Sequence, residues 1–432
     1  MKASGWGRYP CIEATAVWLR DPARLAERLK DLSACIVHAR GRSYGDAALS
    51  ENLIMNLSND RLLGFDSQSG TVAVESGITI ADLVGALLPR GWFPGVTPGT
   101  RFISVGGAIA CDVHGKNHHK VGCFSEFVLS FDLMLPDGDV VKCSRDENSD
   151  LFRATCGGMG LTGIILRAVL RLQRVGSARI RETVIRCRNL ADVLEKFDAH
   201  DDKSYSVAWI DCLSSKDALG RSVLMLGEHS DSGAQSCHHA GCFSVPFNFP
   251  GFALNRYTAS AFNHFYYENQ PLCVKNRLTT IDAFFYPLDR VAHWNRVYGS
   301  RGFLQYQLVV PKEAGPAGLR AILEKAGNCG AGSFLGVLKL FGPENENLLS
   351  FPMEGYTLAM DFKVSGDIFS ILNELDRVVL DHGGRIYLAK DARMPREVFR
   401  KGYPCWEKFV ELRERYRMSG KFQSLQSKRL GI

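Results

Sequence analysis

Residues 105–119 read Val-Gly-Gly-Ala-Ile-Ala-Cys-Asp-Val-His-Gly-Lys-Asn-His-His. Gly106 and Gly107 carry no side chain, so a ligand can approach their backbone closely. His114, Lys116, His118, His119 and Lys120 follow within a few residues. Bare backbone amides beside titratable donors suit an anionic or phosphate-bearing cofactor. Upstream, Arg40-Gly41-Arg42-Ser43-Tyr44-Gly45-Asp46 repeats that chemistry. Either loop alone reads equally well as a polar turn, but the two together point to a cofactor cradle. Lys339 stands between Leu338 and Leu340, an expensive place for an unpaired charge. A phosphate partner or a buried salt bridge would each account for it. Gln305 and Gln307 alternate with Tyr306 and so share one strand face, turned to a polar ligand or to solvent. Lys390 follows a predicted strand over 385–389 that also carries Tyr387. As a base it needs its pKa lowered by burial or a neighbouring cation; otherwise it is a solvated strand-end lysine.

Two tempting motifs carry less. Gly158-Met159-Gly160-Leu161-Thr162-Gly163 matches the dinucleotide fingerprint literally. That fingerprint must follow a strand and open a helix. Here residues 150–155 look helical and 163–170 look like a strand, so the context is reversed and a Rossmann nicotinamide site is rejected. Cys237-His238-His239-Ala240-Gly241-Cys242 fits no common zinc spacing, and no metal site is expected.

The elements that must position these residues can be read in outline. Asp21-Pro22 looks like an N-cap with proline opening a helix, continued by Leu25, Leu29 and Leu32. Residues 34–39 read as a buried strand feeding the 40–46 loop, and 71–75 as another strand. Ile80, Leu83, Val84 and Leu87 form a helical face. Residues 127–135 and 140–143, split by Pro136-Asp137-Gly138, read as a hairpin. From about residue 174 the chain changes to strand-like runs such as 303–311 and 334–341, expected to build a largely antiparallel sheet. A helix over 367–382 stops at Gly383-Gly384. Residues 243–267 hold Phe243, Phe247, Phe249, Phe252, Tyr257, Phe262, Phe265, Tyr266 and Tyr267. Pro246 and Pro250 argue against one regular helix there. The segment is either a lid or lipid-gripping patch, or an irregular loop packed on the sheet.

Composition bounds the function. The chain has 432 residues, 46% hydrophobic and 23% charged, as expected of a globular protein with a large core. A formal charge of +6 favours anionic ligands or an anionic membrane surface and is too slight to argue for nucleic acid. Thirteen scattered cysteines suit reduced thiols better than a disulfide framework. No apolar run reaches the ~18 residues of a spanning helix, and no secretory signal is evident, so cytoplasmic residence is expected.

Together, Gly-Arg-Ser-Tyr-Gly-Asp (41–46), Val-Glu-Ser-Gly (74–77), Pro-Gly-Thr-Arg (98–101), the 106–119 stretch and Gly-Leu-Thr-Gly (160–163) resemble the FAD-binding domain of vanillyl-alcohol-oxidase-type flavoenzymes. Residues 109–119, Trp294-Asn295-Arg296, 302–307, 339–343 and Tyr387-Leu388-Ala389-Lys390-Asp391 are similar to the polyprenyl-phosphoryl-ribose oxidases within that superfamily. The resemblance runs in order over nearly the whole chain. It implies an α+β, two-domain fold. Residues 1–175 and 385–432 would bind FAD, and 176–384 would form the substrate domain. It places Arg40, Gly41, Arg42, Ser43, Tyr44, Gly45, Asp46, Gly99, Ser104, Gly106, Gly107, Cys111, His114, Gly115, Lys116, Asn117, Gly163, Ile165 and Tyr387 at the cofactor. Lys116, Gln305, Gln307, Lys339, Thr357 and Lys390 would meet the substrate, with Lys390, Tyr387 and His114 catalytic. Arg42 stands where many relatives tether flavin through histidine, which implies non-covalent FAD. Ala359 replaces a cysteine of mycobacterial members and Thr357 an asparagine, so thiol-directed chemistry is not expected and substrate contacts are expected to differ.

The implied reaction oxidises the 2′-hydroxyl of a polyprenyl-phosphate-linked ribofuranose to the keto sugar. A nicotinamide-dependent reductase would be the partner that completes epimerisation to the arabinose donor; contact with the inner membrane face is expected from the missing signal, the cysteine content and the aromatic 243–267 segment. Two alternatives remain open here: oxidation of a free alditol or sugar lactone, and a non-catalytic flavin-containing polyprenyl-phosphate carrier.

Overall fold

Among the described residues, short capped helices and long paired strands build two main sheet systems with a cavity between them. The computed structural model describes residues 1–19, 21–234, 243–328 and 335–432. The motif at 237–242 lies outside the described residues. All cysteines among the described residues are free thiols.

The first helix, Pro22–Asp31, begins as its sequence dictates: Asp21 accepts from the Ala23 N–H, and Leu25 and Leu29 are buried. Three parallel strands follow one another in space, Thr15–Trp18, Asn52–Met55 and Ile36–His38. The strand expected over 34–39 is thus shorter, and it delivers the chain into the 40–46 loop. Helix Ile80–Leu87 is opened by a Thr79/Asp82 capping box and buries Ile80, Leu83, Val84 and Leu87. Val128–Met134 and Val140–Ser144 pair as the expected hairpin, with Gly138 at φ +94° completing its turn. Ile164–Arg174 pairs antiparallel with Val128–Met134 on one side and with Thr71–Glu75 on the other. Helix Ser149–Thr155 precedes the 158–163 glycines and this strand follows them, which bears out the reversed context.

The second system is an eight-stranded antiparallel sheet. Its order is Cys273–Thr280, Arg179–Cys187, Ser222–His229, Tyr205–Ile210, Gly336–Phe341, Gly355–Lys363, Phe303–Pro311 and Arg385–Ile386. The sheet runs past the expected boundary at 384, because Arg385 and Ile386 pair with Val309 and Leu308. The strand expected over 385–389 ends at Ile386, and Leu388–Lys390 forms a single 3-10 turn. Lys390 therefore leaves a tight turn rather than a strand end. Helix Ile368–Asp381 packs Ile368, Leu372, Leu375 and Val379 into the core and stops at Gly383, φ +71°.

The aromatic segment divides at its prolines. Residues before 255 are mostly irregular, whereas Arg256–Glu268 is a helix opened by an Asn255/Thr258 capping box. Phe243 and Tyr257 are 80% and 84% exposed. The last residues return to the first: Cys35 N–H donates to the Lys421 carbonyl, Gln423 N–H to the Cys35 carbonyl, and Leu425 N–H to the Leu49 carbonyl. Arg429 bridges Asp46 and Asp391, each at 2.8 Å.

Candidate active site

A cavity of about 690 Å³ runs between the two systems. One end is walled by Arg40, Gly41, Arg42, Ser43 and Tyr44, then by Gly99, Ser104, Gly106, Gly107, Cys111, Gly163 and Ile165. Gly41 has φ +60°, the left-handed conformation glycine adopts without strain. Among the described residues, the N–H groups of Gly41, Arg42 and Ser43 make no hydrogen bond within the chain. This loop is the nest of bare amides. The glycine pair works differently from expectation. Gly106 N–H donates to the Ser76 carbonyl at 2.7 Å and Gly107 N–H to Ser104 Oγ at 3.2 Å. What the pair offers is space: a Cβ on Gly106 would sit 3.0 Å from the Ser76 Cβ.

Buried polar atoms without partners face the same region: Arg40 Nε, Arg42 Nε, Asn56 Oδ1 and His114 Nδ1. Leaving such atoms unpaired costs about 1–3 kcal/mol each, so the cradle fits a large polar, anionic group such as FAD. The Arg42 guanidinium lies 4.2 Å from the centre of the Trp6 ring. Four expected cofactor residues stand off the cavity and support it instead. Gly45 packs against the Asp391 carbonyl, where a Cβ would fall 1.7 Å away. Asp46 is paired with Arg429. Asn117 Nδ2 donates to the Gly95 carbonyl at 2.8 Å, and Gly115 abuts Asn117 Oδ1.

Deeper in, strand register assembles the polar centre. Gln305 pairs with Asp361, Gln307 with Ala359, and Lys339 with Thr357. Gln307 Nε2 donates to His114 Nε2 at 2.9 Å and to Thr357 Oγ1 at 3.2 Å. Thr357 in turn donates its hydroxyl to the Leu308 carbonyl, so it orients Gln307 and has no proton to offer a ligand. Burial, reinforced by Lys339, holds His114 well below its usual pKa and keeps it neutral. Tyr387 donates to the Cys111 carbonyl at 2.9 Å and stacks on Phe351, and it lines the cavity with a phenol that burial keeps protonated.

Three lysines converge here, and none forms a salt bridge with a described residue. Burial brings Lys390 down to about 7, opposed by Asp361 and reinforced by Lys339. Lys116 also falls to about 7, through burial and then the charge of Lys339. Its ammonium donates to the Phe284 carbonyl. Lys339 falls to about 8 by burial alone. The salt bridge that sequence reasoning allowed for Lys339 is absent among the described residues. The Lys390 nitrogen sits 3.8 Å from the centre of the Tyr44 ring. Asp361 accepts from Gln305 at 2.7 Å and from Tyr298 at 3.0 Å, and burial raises it to about 6. Sequence reasoning missed Asp361. The signal was there, since it stands between Met360 and Phe362 just as Lys339 stands between leucines.

An anion-binding cradle opening onto such a polar centre, beneath a broad antiparallel sheet, defines a flavoprotein. Residues 16–144 match the family model described as an FAD binding domain. The decaprenylphosphoryl-β-D-ribose oxidase of Mycolicibacterium smegmatis is 36% identical over 99% of this chain and 97% of its own length. L-gulonolactone oxidase of Mus musculus is 31% identical over 38% of this chain and 37% of its own. Delta(24)-sterol reductase of Homo sapiens is 32% identical over 28% and 23%. The chain belongs to the decaprenylphosphoryl-β-D-ribose oxidase family. It is an FAD-dependent oxidoreductase with the two-domain vanillyl-alcohol-oxidase-type fold.

Proposed function

We propose that the enzyme oxidises the 2′-hydroxyl of a polyprenyl-phosphoryl-β-D-ribofuranose to the 2′-keto sugar. The carrying observation is the set of three lysines, none salt-bridged to a described residue, at the junction of the flavin cradle and an apolar sheet face. A free alditol or lactone has no charge to meet Lys339, whereas a phosphodiester beside it would relieve the repulsion that Lys339 imposes on Lys116 and Lys390. FAD, when bound, supplies the electron sink for oxidising the alcohol carbon. The chain's residues do the rest. Gln305, anchored by Asp361, and Gln307, anchored by Thr357, are set to hold the sugar hydroxyls. Lys390, half neutral near pH 7, takes the proton of the reacting hydroxyl at Nζ. Tyr387 and neutral His114 pack the floor and exclude water.

In this reading residues 1–175 with 385–432 hold the cofactor without a covalent bond, and 176–384 hold the substrate. The product is a ketone, and a nicotinamide-dependent keto-sugar reductase would consume it to give the arabinose donor for the cell envelope. No helix among the described residues is long and apolar enough to cross a membrane. We place the enzyme in the cytoplasm, resting the exposed Phe243, Phe247, Phe252, Tyr257 and Phe265 on the membrane's inner face.

The test is anaerobic addition of farnesylphosphoryl-β-D-ribofuranose to purified enzyme. Bleaching of the flavin bands, with all flavin released on denaturation, is expected. A flavin that stays oxidised with this substrate and bleaches with a free sugar would overturn the proposal.

A further inference from the structure

The lysines occupy only one end of the cavity. Ala208 pairs with Leu338, which sets Val207 beside Lys339 on the cavity face. Val207 pairs with Met225, and Met225 with Val184. A parallel row runs Ala359, Val337, Trp209, Val223. The cavity follows this apolar floor away from Lys339 for three strand spacings, about 14 Å. Its roof is helix Arg256–Glu268. Tyr266 packs on Trp209 with ring centroids 4.7 Å apart, and buried Asn263 donates to Asp211 at 2.7 Å. Tyr267 donates to the Cys187 carbonyl at 3.1 Å. These anchors fix the helix above the sheet and leave Phe262 and Tyr266 lining the space beneath. The ion pair at its edge, Glu182 with Arg277 at 2.6 Å, is self-neutralised. Phe262 lines the cavity, is 47% exposed and shares its helix with the exposed Tyr257 and Phe265, so it marks the end of the arm nearest those aromatics.

We infer that this apolar arm seats the isoprenoid chain of the substrate, threading it from Lys339 beneath the 256–268 helix to an exit at Phe262. The inference rests on the polyprenyl-phosphoryl substrate proposed above and adds the route of its tail. The order of surfaces matches the order of groups in such a molecule. Gln305, Gln307 and Lys390 meet the sugar, and Lys339 meets the phosphate. The first isoprene units cover Val207, Met225 and Val184, and the rest leave past Phe262 into the bilayer. A free sugar phosphate would leave this arm without an occupant, and seating a chain there removes the chain's own apolar surface from water.

The test compares kcat/KM for farnesylphosphoryl-β-D-ribofuranose with that for methylphosphoryl-β-D-ribofuranose, which has the same head and no chain. Burying a few isoprene methylenes gives an expected preference for the farnesyl compound on the order of 100-fold. Met225→Trp and Val337→Phe, each filling the arm from a different strand, should cut that ratio below about 10. Flavin content and Tm report whether each variant folds. Independently, a farnesyl chain ending in a diazirine should photolabel wild-type peptides 205–210, 222–229 and 256–268. Labelling confined to other surfaces, or a ratio near 1 in the wild type with turnover of both compounds, would overturn the route and leave the function standing. No turnover of either compound would overturn the function, and the route with it.

Discussion

Lys390→Met keeps the length and apolar stem of the side chain and deletes the group proposed to take the substrate's proton. At pH 7 an ordinary lysine at 10.5 is neutral in about one molecule in three thousand, whereas Lys390 at about 7 is neutral in half. General-base catalysis is worth about 10²–10⁴-fold. The expected result is therefore a loss of about 100- to 10,000-fold in the rate of anaerobic flavin reduction by the farnesyl substrate, with flavin still bound. The wild-type pH profile carries the same signature with a fixed sign. The base form appears as pH rises, so kcat/KM, which reports the free enzyme, should climb about fivefold from pH 6 to 7, and kcat should show the same acid limb displaced upward, because the bound phosphate offsets Lys339. Lys339 at about 8 must stay protonated to meet the phosphate, so kcat/KM should fall again above pH 8, giving a bell for kcat/KM and a plateau for kcat. Stopped-flow reduction of the flavin band by varied substrate, from pH 5.5 to 9.5, separates the two. A Lys390→Met variant within about threefold of wild type, or a wild-type kcat without an acid limb, would refute the reasoning.

Further outcomes follow from neighbouring contacts. Asp361→Asn removes a carboxylate that favours the charged form of Lys390, so the acid limb of kcat/KM should move below pH 7, read from the same profiles. Arg429→Met leaves Asp46 and Asp391 buried without their cation. It should cost about 3–5 kcal/mol at pH 7 by urea unfolding. Because burial raises Asp46 to about 6, that cost should shrink toward pH 5, where Asp46 protonates. Gly45→Ala drives a methyl into the Asp391 carbonyl and should cost about 3 kcal/mol and lower flavin occupancy, measured by the visible-to-protein absorbance ratio.

Much of this site was legible because its residues break local rules. Lys339 in a leucine run, the glutamine pair at period two, and the 40–46 loop each announce a polar demand that their own element cannot meet. The helices were legible for the opposite reason, since Asp21-Pro22 and the periodic apolar faces at 80–87 and 368–381 obey the rules. What stayed hidden depended on register and on contacts far apart in sequence. The amides of Gly106 and Gly107 are consumed by Ser76 and Ser104, which no local pattern reveals. The 385–389 strand is cut short because Tyr387 N–H donates to the Gln307 carbonyl and the chain then coils into the Leu388–Lys390 turn. The capped helix at 256–268 was obscured by reading it together with the proline-broken stretch before it.

The return of residues 421–429 to the strand at Ile36–His38 and the 40–46 loop bears on how the enzyme is made. A ribosome emits residues 1–55 before residues 421–429, and at ~5–20 residues per second the segment that clamps them emerges roughly 20–70 s later. In that interval Cys35 lacks both of its backbone partners, and Asp46 lacks its arginine. The 40–46 loop is therefore clamped only once residues 421–429 have emerged. Deleting residues 421–429 should therefore show as lowered flavin occupancy, at a loop far from the deletion in sequence.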